Sequence, residues 1–126
     1  MAINKENSIN QDKFAQHLGI RVLKAEGGEA TAEITIKEEH VNGLGTTHGA
    51  IIFALADIAF AAACNSESDA IGLQADIRYL NKPEGKKLMA HAYELNASRK
   101  IGNYQVDVLD ETEQKVAQFS GIAYRF

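Results

Sequence analysis

The sequence has one cysteine, Cys64, and one proline, Pro83, in 126 residues. A single cysteine can form neither an intrachain disulfide nor a CxxC metal or redox pair, so a reducing, cytoplasmic setting is expected. Histidines stand only at 17, 40, 48 and 91. They lack a ligand spacing such as HExxH, so no metal is expected. No GxSxG elbow, GxGxxG loop or P-loop is present, which removes the commonest hydrolase and nucleotide-binding signatures. Repeats, low-complexity tracts and linkers are also missing, and the length suits one domain over residues 1–126. The opening MAINKENSINQDK is polar and lacks the apolar stretch of a signal peptide. The longest apolar run, Gly49–Cys64, falls short of the roughly 20 residues of a bilayer span, so no membrane partner is expected.

Positive charge is in deficit as well. Thirteen basic residues face seventeen acidic ones, a net charge of −4, which argues against nucleic acid as a partner. The imbalance is uneven. Segment 78–100 carries six basic residues and two acidic ones, so it is +4 within an otherwise acidic chain. Such a patch could hold a phosphorylated small molecule, or simply solubilise two hairpin ends.

What is present is strongly patterned. Residues 11–18 read as a short helix stopped by Gly19. IRVLKAE and EATAEITIK alternate apolar and polar residues around Gly27-Gly28, which reads as a β-hairpin. In the second run Ala30, Ala32, Ile34 and Ile36 share one face. A glycine-containing loop, EEHVNGLGTTHG, then leads into the apolar run, whose alanine and leucine content and length favour helix over strand. Four strand-like runs follow, AIGLQADIRYLNK, KLMAHAYELNAS, NYQVDVLDE and KVAQFSGIAYRF, with PEGK, SRKIG and ETEQ as short turns between them. Short links favour an antiparallel sheet. A helix apolar almost all round must be covered on more than one side. A curved sheet wrapping it, with a second subunit over the remainder, meets that need.

Within this helix Asp57 is the only charged residue, and an unpaired carboxylate is unfavourable among apolar neighbours. Hydrogen bonds from a neighbouring loop would explain it, and so would catalysis. At the helix head, Gly49 presents a free backbone amide with no side chain in the way, either for backbone reasons or as an oxyanion donor. Asp57 lies about 12 Å further along the axis at 1.5 Å per residue. One helix therefore cannot bring both groups to one carbonyl, whereas two antiparallel copies in a symmetric dimer can. His48 could orient the loop, bind substrate or act as a base. Cys64, about 24 Å from His48 by the same rise, reads as a small buried hydrophobe.

The stretch HVNGLGTTHGAIIFALADIAFAAACNS, from His40 to Ser66, resembles the hotdog-fold acyl-CoA thioesterases, and most of all their phenylacetyl-CoA thioesterase-like branch in phenylacetate degradation. HLGIRV, DIRYLNKP, SRKIGNYQVDV and FSGIAYRF extend the likeness over most of the chain. The resemblance implies an α+β hotdog fold: an antiparallel sheet of about six strands around one long central helix, plus a short N-terminal helix. It implies a dimer, or a dimer of dimers, with active sites at the subunit interface. Asp57 would be nucleophile or general base, and the Gly49 amide would polarise the thioester carbonyl. Asn42 and His48 would shape the site, with Asn42 holding the attacking water or the carboxylate. Arg99, Lys100 and Gly102 would meet the nucleotide and pantetheine end of coenzyme A, which is part of the substrate, so no separate cofactor is implied. The chain departs from many relatives in reading His48-Gly49-Ala50 in place of His-Gly-Gly. It also lacks the serine that some carry at the start of the strand after the helix. Two other functions remain open at this level. One is a non-catalytic acyl-CoA binding module, in which a buried carboxylate would have no purpose. The other is a hydratase or dehydratase of the same superfamily, whose loop motifs are absent.

Overall fold

Gly27 and Gly28 have φ values of 61° and 80°, the left-handed pair that a two-residue type I′ hairpin turn requires. They join β1 (Arg21–Glu26) to β2 (Glu29–Thr35) as predicted. The computed structural model that contains this hairpin describes residues 12–126. Ahead of it lies α1 (Lys13–Leu18), capped by the Asp12 carboxylate, which accepts the Ala15 N–H at 2.9 Å, and ended by Gly19 at φ 85°. Gln11, the expected first residue of that helix, lies outside the described residues. After β2 come a 3₁₀ turn (Glu38–His40), α2 (Gly49–Cys64), β3 (Ala70–Tyr79), β4 (Lys87–Ala97), β5 (Ile101–Asp110) and β6 (Lys115–Arg125).

The strands form one antiparallel sheet in the order β1-β2-β4-β5-β6-β3, curled around α2. This is the hotdog arrangement. The helix lies chiefly against β2 and β4, where Ala30 faces Ala92 and Ala32 faces Ala90 across the ladder. All four are at most 2% exposed, so alanine on both strands lets the helix approach closely. Larger side chains close the other half, where Phe60 stands between Tyr104 and Phe119 with ring centroids 5.7 and 5.6 Å away. Burying one such side chain contributes about 1.5–3 kcal/mol.

One connection differs from expectation. PEGK does not turn a hairpin between β3 and β4, because β3 pairs with β6 at the sheet edge and β4 pairs with β2 and β5. Residues 80–86 instead cross the ends of β6 and β5. The Val116 carbonyl accepts the Leu80 and Asn81 N–H groups, Asp110 Oδ2 accepts the Glu84 N–H, and Glu111 Oε1 accepts the Lys86 N–H. Pro83 and Gly85 bend the chain locally, but these bonds decide where it goes.

The sheet leaves one stripe of α2 uncovered. Ala50, Phe53, Asp57 and Ala61, three or four residues apart, are partly or fully exposed, while the residues between them are buried. Asp57 is thus on the face of α2 that the described residues leave uncovered. Among the described residues no helix is long and apolar enough to cross a membrane.

Candidate active site

The head of α2 is built by two histidines and an asparagine. His48 is the N-cap: its Nδ1 accepts the Ala50 N–H at 3.0 Å, and its carbonyl accepts the Ile51 and Ile52 N–H groups at 3.0 and 3.4 Å. A ring nitrogen that accepts carries no proton, so neutral His48 has its hydrogen on Nε2, where it is a donor. Of the first-turn amides, only that of Gly49 has no acceptor among the described residues. Buried His40 fixes the approach to the helix, its carbonyl accepting the His48 N–H and its Nδ1 the Lys37 N–H. Asn42 Oδ1 accepts from Leu44 N, Thr46 N and Thr46 Oγ1 at 2.9–3.1 Å, closing the 42–46 loop. Its side-chain NH₂ has no protein acceptor among the described residues and remains available as a donor.

A further residue at this head, Tyr79, was not singled out from sequence. It ends β3, and its hydroxyl donates to the Gly49 carbonyl at 3.1 Å. A Cβ on residue 49 would stand 3.4–3.6 Å from the Tyr79 ring. The space left by the missing side chain is therefore taken by that ring, which gives Gly49 a packing reason as well as a chemical one. The signal was present in DIRYLNKP, but only strand pairing shows that this tyrosine meets the helix. Beside the two residues opens a cleft of about 370 Å³, lined by Thr46, Thr47, Gly49, Ile52, Tyr79 and residues 80–83.

Asp57 is partly buried on the uncovered stripe, and no donor among the described residues reaches its carboxylate. The loop-bonded explanation of this aspartate therefore finds no donor in the described chain. Burial among apolar neighbours pushes its pKa up, and the Asp12 carboxylate adds to the shift. The axial separation from Gly49 is the about 12 Å of a regular helix, so one chain does not bring the two groups together.

The proposed coenzyme-binding residues lie elsewhere again. Arg99 and Lys100 form the β4–β5 turn, and the Lys100 carbonyl accepts the Arg125 N–H. Arg125 pairs with Ala70 at the start of β3, whereas Tyr79 at its end touches Gly49. Nine residues of strand put the basic turn about 30 Å from the head of α2. Lys100 Nζ stands 5.7 Å above the Tyr124 ring, and Arg99 is exposed. Gly102 is buried within β5, where a Cβ would come within 2.7 Å of the Tyr104 ring and 3.3 Å of Arg125. Packing alone accounts for that glycine. Cys64 is buried at the far end of α2, its pKa pushed up to about 11 mainly by burial, which makes it unreactive.

A hotdog sheet around one apolar helix, with a carboxylate and an amide on that helix that have no hydrogen-bond partner among the described residues, defines a class. The chain belongs to the Thioesterase superfamily, whose family model matches residues 44–117. Among its relatives is the acyl-coenzyme A thioesterase PaaI of Escherichia coli K12, 31% identical over 97% of this chain and 89% of that one. The solved structure of the E. coli PaaI protein from the phenylacetic acid degradation operon superposes with a TM-score of 0.91, covering 98% of this chain and 91% of that chain at 30% identity. A variant of the phenylacetic acid degradation protein PaaI of Thermus thermophilus does so with a TM-score of 0.87, at 35% identity over 91% and 100%. The family and the enzyme class expected from the His40–Ser66 motif are those found.

Proposed function

We propose that the protein hydrolyses an acyl-coenzyme A thioester to a free carboxylic acid and coenzyme A, at sites shared between two copies of the chain. The observation that carries this reading is Asp57: a partly buried carboxylate with no partner among the described residues, on the stripe of α2 that they leave open. Asp57 takes a proton from the attacking water, or attacks the carbonyl carbon itself. In the first route water's oxygen adds to the carbonyl carbon and the C–S bond breaks. In the second the carboxylate displaces the thiolate to form a mixed anhydride, which water then hydrolyses. Both release the free acid and coenzyme A with a proton on its thiol. The raised pKa makes the carboxylate a stronger base than an exposed aspartate. As charge develops on the thioester oxygen, the Gly49 N–H and the positive end of α2 stabilise it. Asn42 donates its free NH₂ to the water or to the carboxylate, and His48 offers Nε2–H at the same head.

Asp57 and Gly49 serve one carbonyl when two copies of α2 lie antiparallel, which gives two equivalent sites per dimer. Such packing covers the open stripe and the free edge of β3, where Ile71 and Leu73 are 50% and 56% exposed. In this pairing the basic turn of one copy lies near the site containing its own Asp57. Seven helical residues, about 10 Å, separate Asp57 from the Cys64 end where that turn sits. Arg99 and Lys100 are then placed for the phosphates of coenzyme A, in a dimer or a dimer of dimers.

The test is thiol release across an acyl-CoA panel by wild type and Asp57→Asn. Wild type should release thiol, and Asp57→Asn should fall at least about 100-fold while eluting at the same size. Near-native turnover in the variant would remove Asp57 from the mechanism. Acyl-CoA binding without release by wild type would make the protein a binding module.

A further inference from the structure

Resting on the thioesterase reading, with Arg99 and Lys100 as its coenzyme contacts, the geometry points to Arg125 as the positioning residue for that basic turn. Two peptide units bracket the pair: one joins Ser98 to Arg99, the other joins Lys100 to Ile101. Arg125 holds both. Its Nη1–H donates to the Ser98 carbonyl at 3.3 Å, and its backbone N–H donates to the Lys100 carbonyl at 2.7 Å. The guanidinium is fixed in its turn. Nη2 donates to Glu94 Oε1 of β4 and, at 3.1 Å, to the Tyr104 hydroxyl of β5. That hydroxyl itself donates to Glu94 Oε1 at 3.4 Å. One residue of β6 thereby ties together the strand entering the turn, the turn, and the strand leaving it.

The surroundings divide the work between the three cations. Arg125 is engaged with the Glu94 carboxylate, and the two side chains are 23% and 32% exposed. Arg99 and Lys100 are exposed, and among the described residues neither has a carboxylate partner. The Tyr124 ring, next to Arg125 in the chain, lies 5.7 Å beneath Lys100 Nζ. A Cβ on residue 102 would come 3.3 Å from Arg125 Nη2, so Gly102 keeps the space in which the guanidinium sits. A ligand that closes on a loose turn must order its backbone as well as its side chains, and that ordering weakens binding. With both flanking peptides already held, only the two long side chains remain to be ordered. Arginine suits this position because its planar fork offers several donors in one fixed plane, which a lysine ammonium does not. Arg125 acts through the turn and needs no contact with the substrate.

The test presents one acyl group on coenzyme A and on pantetheine, which has no phosphates, to wild type and variants. Arg125→Met should raise KM for the coenzyme A thioester about three- to tenfold, the worth of one net hydrogen bond, with kcat within about twofold. The preference for coenzyme A over pantetheine, as the ratio of the two kcat/KM values, should fall by the same factor. A merely structural role lowers both thioesters together and leaves the ratio where it was, which overturns the proposal. In an Arg99→Ala, Lys100→Ala background, Arg125→Met should change the ratio no further. A full further fall there means that Arg125 meets the phosphates itself, and overturns the proposal too. Where Arg125→Met yields no folded protein, Arg125→Lys, which keeps the charge and loses the fork, is held to the same outcomes. A wild type with no preference for coenzyme A removes this proposal and leaves thioester hydrolysis standing, whereas a wild type that cleaves neither thioester removes both.

Discussion

Asp57 is ionised against the preference of its surroundings. Burial raises its folded-state pKa above the ordinary value of about 4. Below that ordinary value both folded and unfolded chains carry a protonated Asp57, and the residue is neutral to stability. As pH rises through the raised folded value, the unfolded chain ionises more readily than the folded one, so stability declines. Asp57→Asn removes this burden. Thermal melts at pH 7 should show Asp57→Asn melting higher than wild type by roughly 1–4 °C, and the gain should vanish near pH 4. The same shift moves the acid limb of the wild-type kcat/KM profile above the pH expected for an exposed aspartate.

At the scale of elements, the proposed dimer covers the open stripe of α2 and the free edge of β3 together. Ala61 lies on that stripe, exposed and one helical turn beyond Asp57. Ala61→Arg places a long charged side chain where a second copy is proposed to sit, and does not disturb the buried faces of the helix. Sedimentation should show wild type as the proposed dimer and Ala61→Arg as a monomer with activity down at least about tenfold, whereas a dimeric Ala61→Arg would place the interface elsewhere. The elements themselves were legible because their signals are local. Alternation along Ala30, Ala32 and Ile34 marks a strand face, two glycines mark the hairpin, and a sixteen-residue run without proline, apolar but for Asp57, marks the helix. The place of β3 was not legible. A proline-glycine turn announces a change of direction, but strand partnership is set by hydrogen bonds to residues 30 and more positions away. Tyr79 was missed for the same reason, since its partner at Gly49 belongs to another element.

For the whole molecule, one buried carboxylate ties the β5–β6 turn to the crossover at 80–86. Asp110 accepts from Thr112 N, Thr112 Oγ1, Gln114 N and Nε2, and Glu84 N. These donors, the Thr112 hydroxyl foremost, hold its pKa down to about 2. The sign is opposite to that of Asp57: the stabilisation is complete above the ordinary pKa of about 4 and is lost as pH falls towards 2. Denaturant midpoints measured from pH 5 to pH 2 should fall for wild type more than for Asp110→Asn, which starts lower and changes less. A parallel fall in both would remove Asp110 from the acid response. At this scale the candidate site was only partly legible. The motif located the head of α2 and Asp57. It could not show that Arg99 and Lys100 sit towards the opposite end of α2 from Gly49, because that depends on how β3 and β6 run alongside the helix.

The alanine pairs of β2 and β4 have a mechanical consequence. Alanine has no rotatable side-chain angle, so the contact between helix and sheet has almost no slack with which to absorb a shift. The helix is seated like a ruler clamped along its length, with Gly49 and Asp57 as two engraved marks. Adding one residue between the marks would turn the carboxylate about 100° around the axis, away from the open side and into the clamp. The interval of eight residues is thus a gauge, and the small side chains beneath it keep the gauge true.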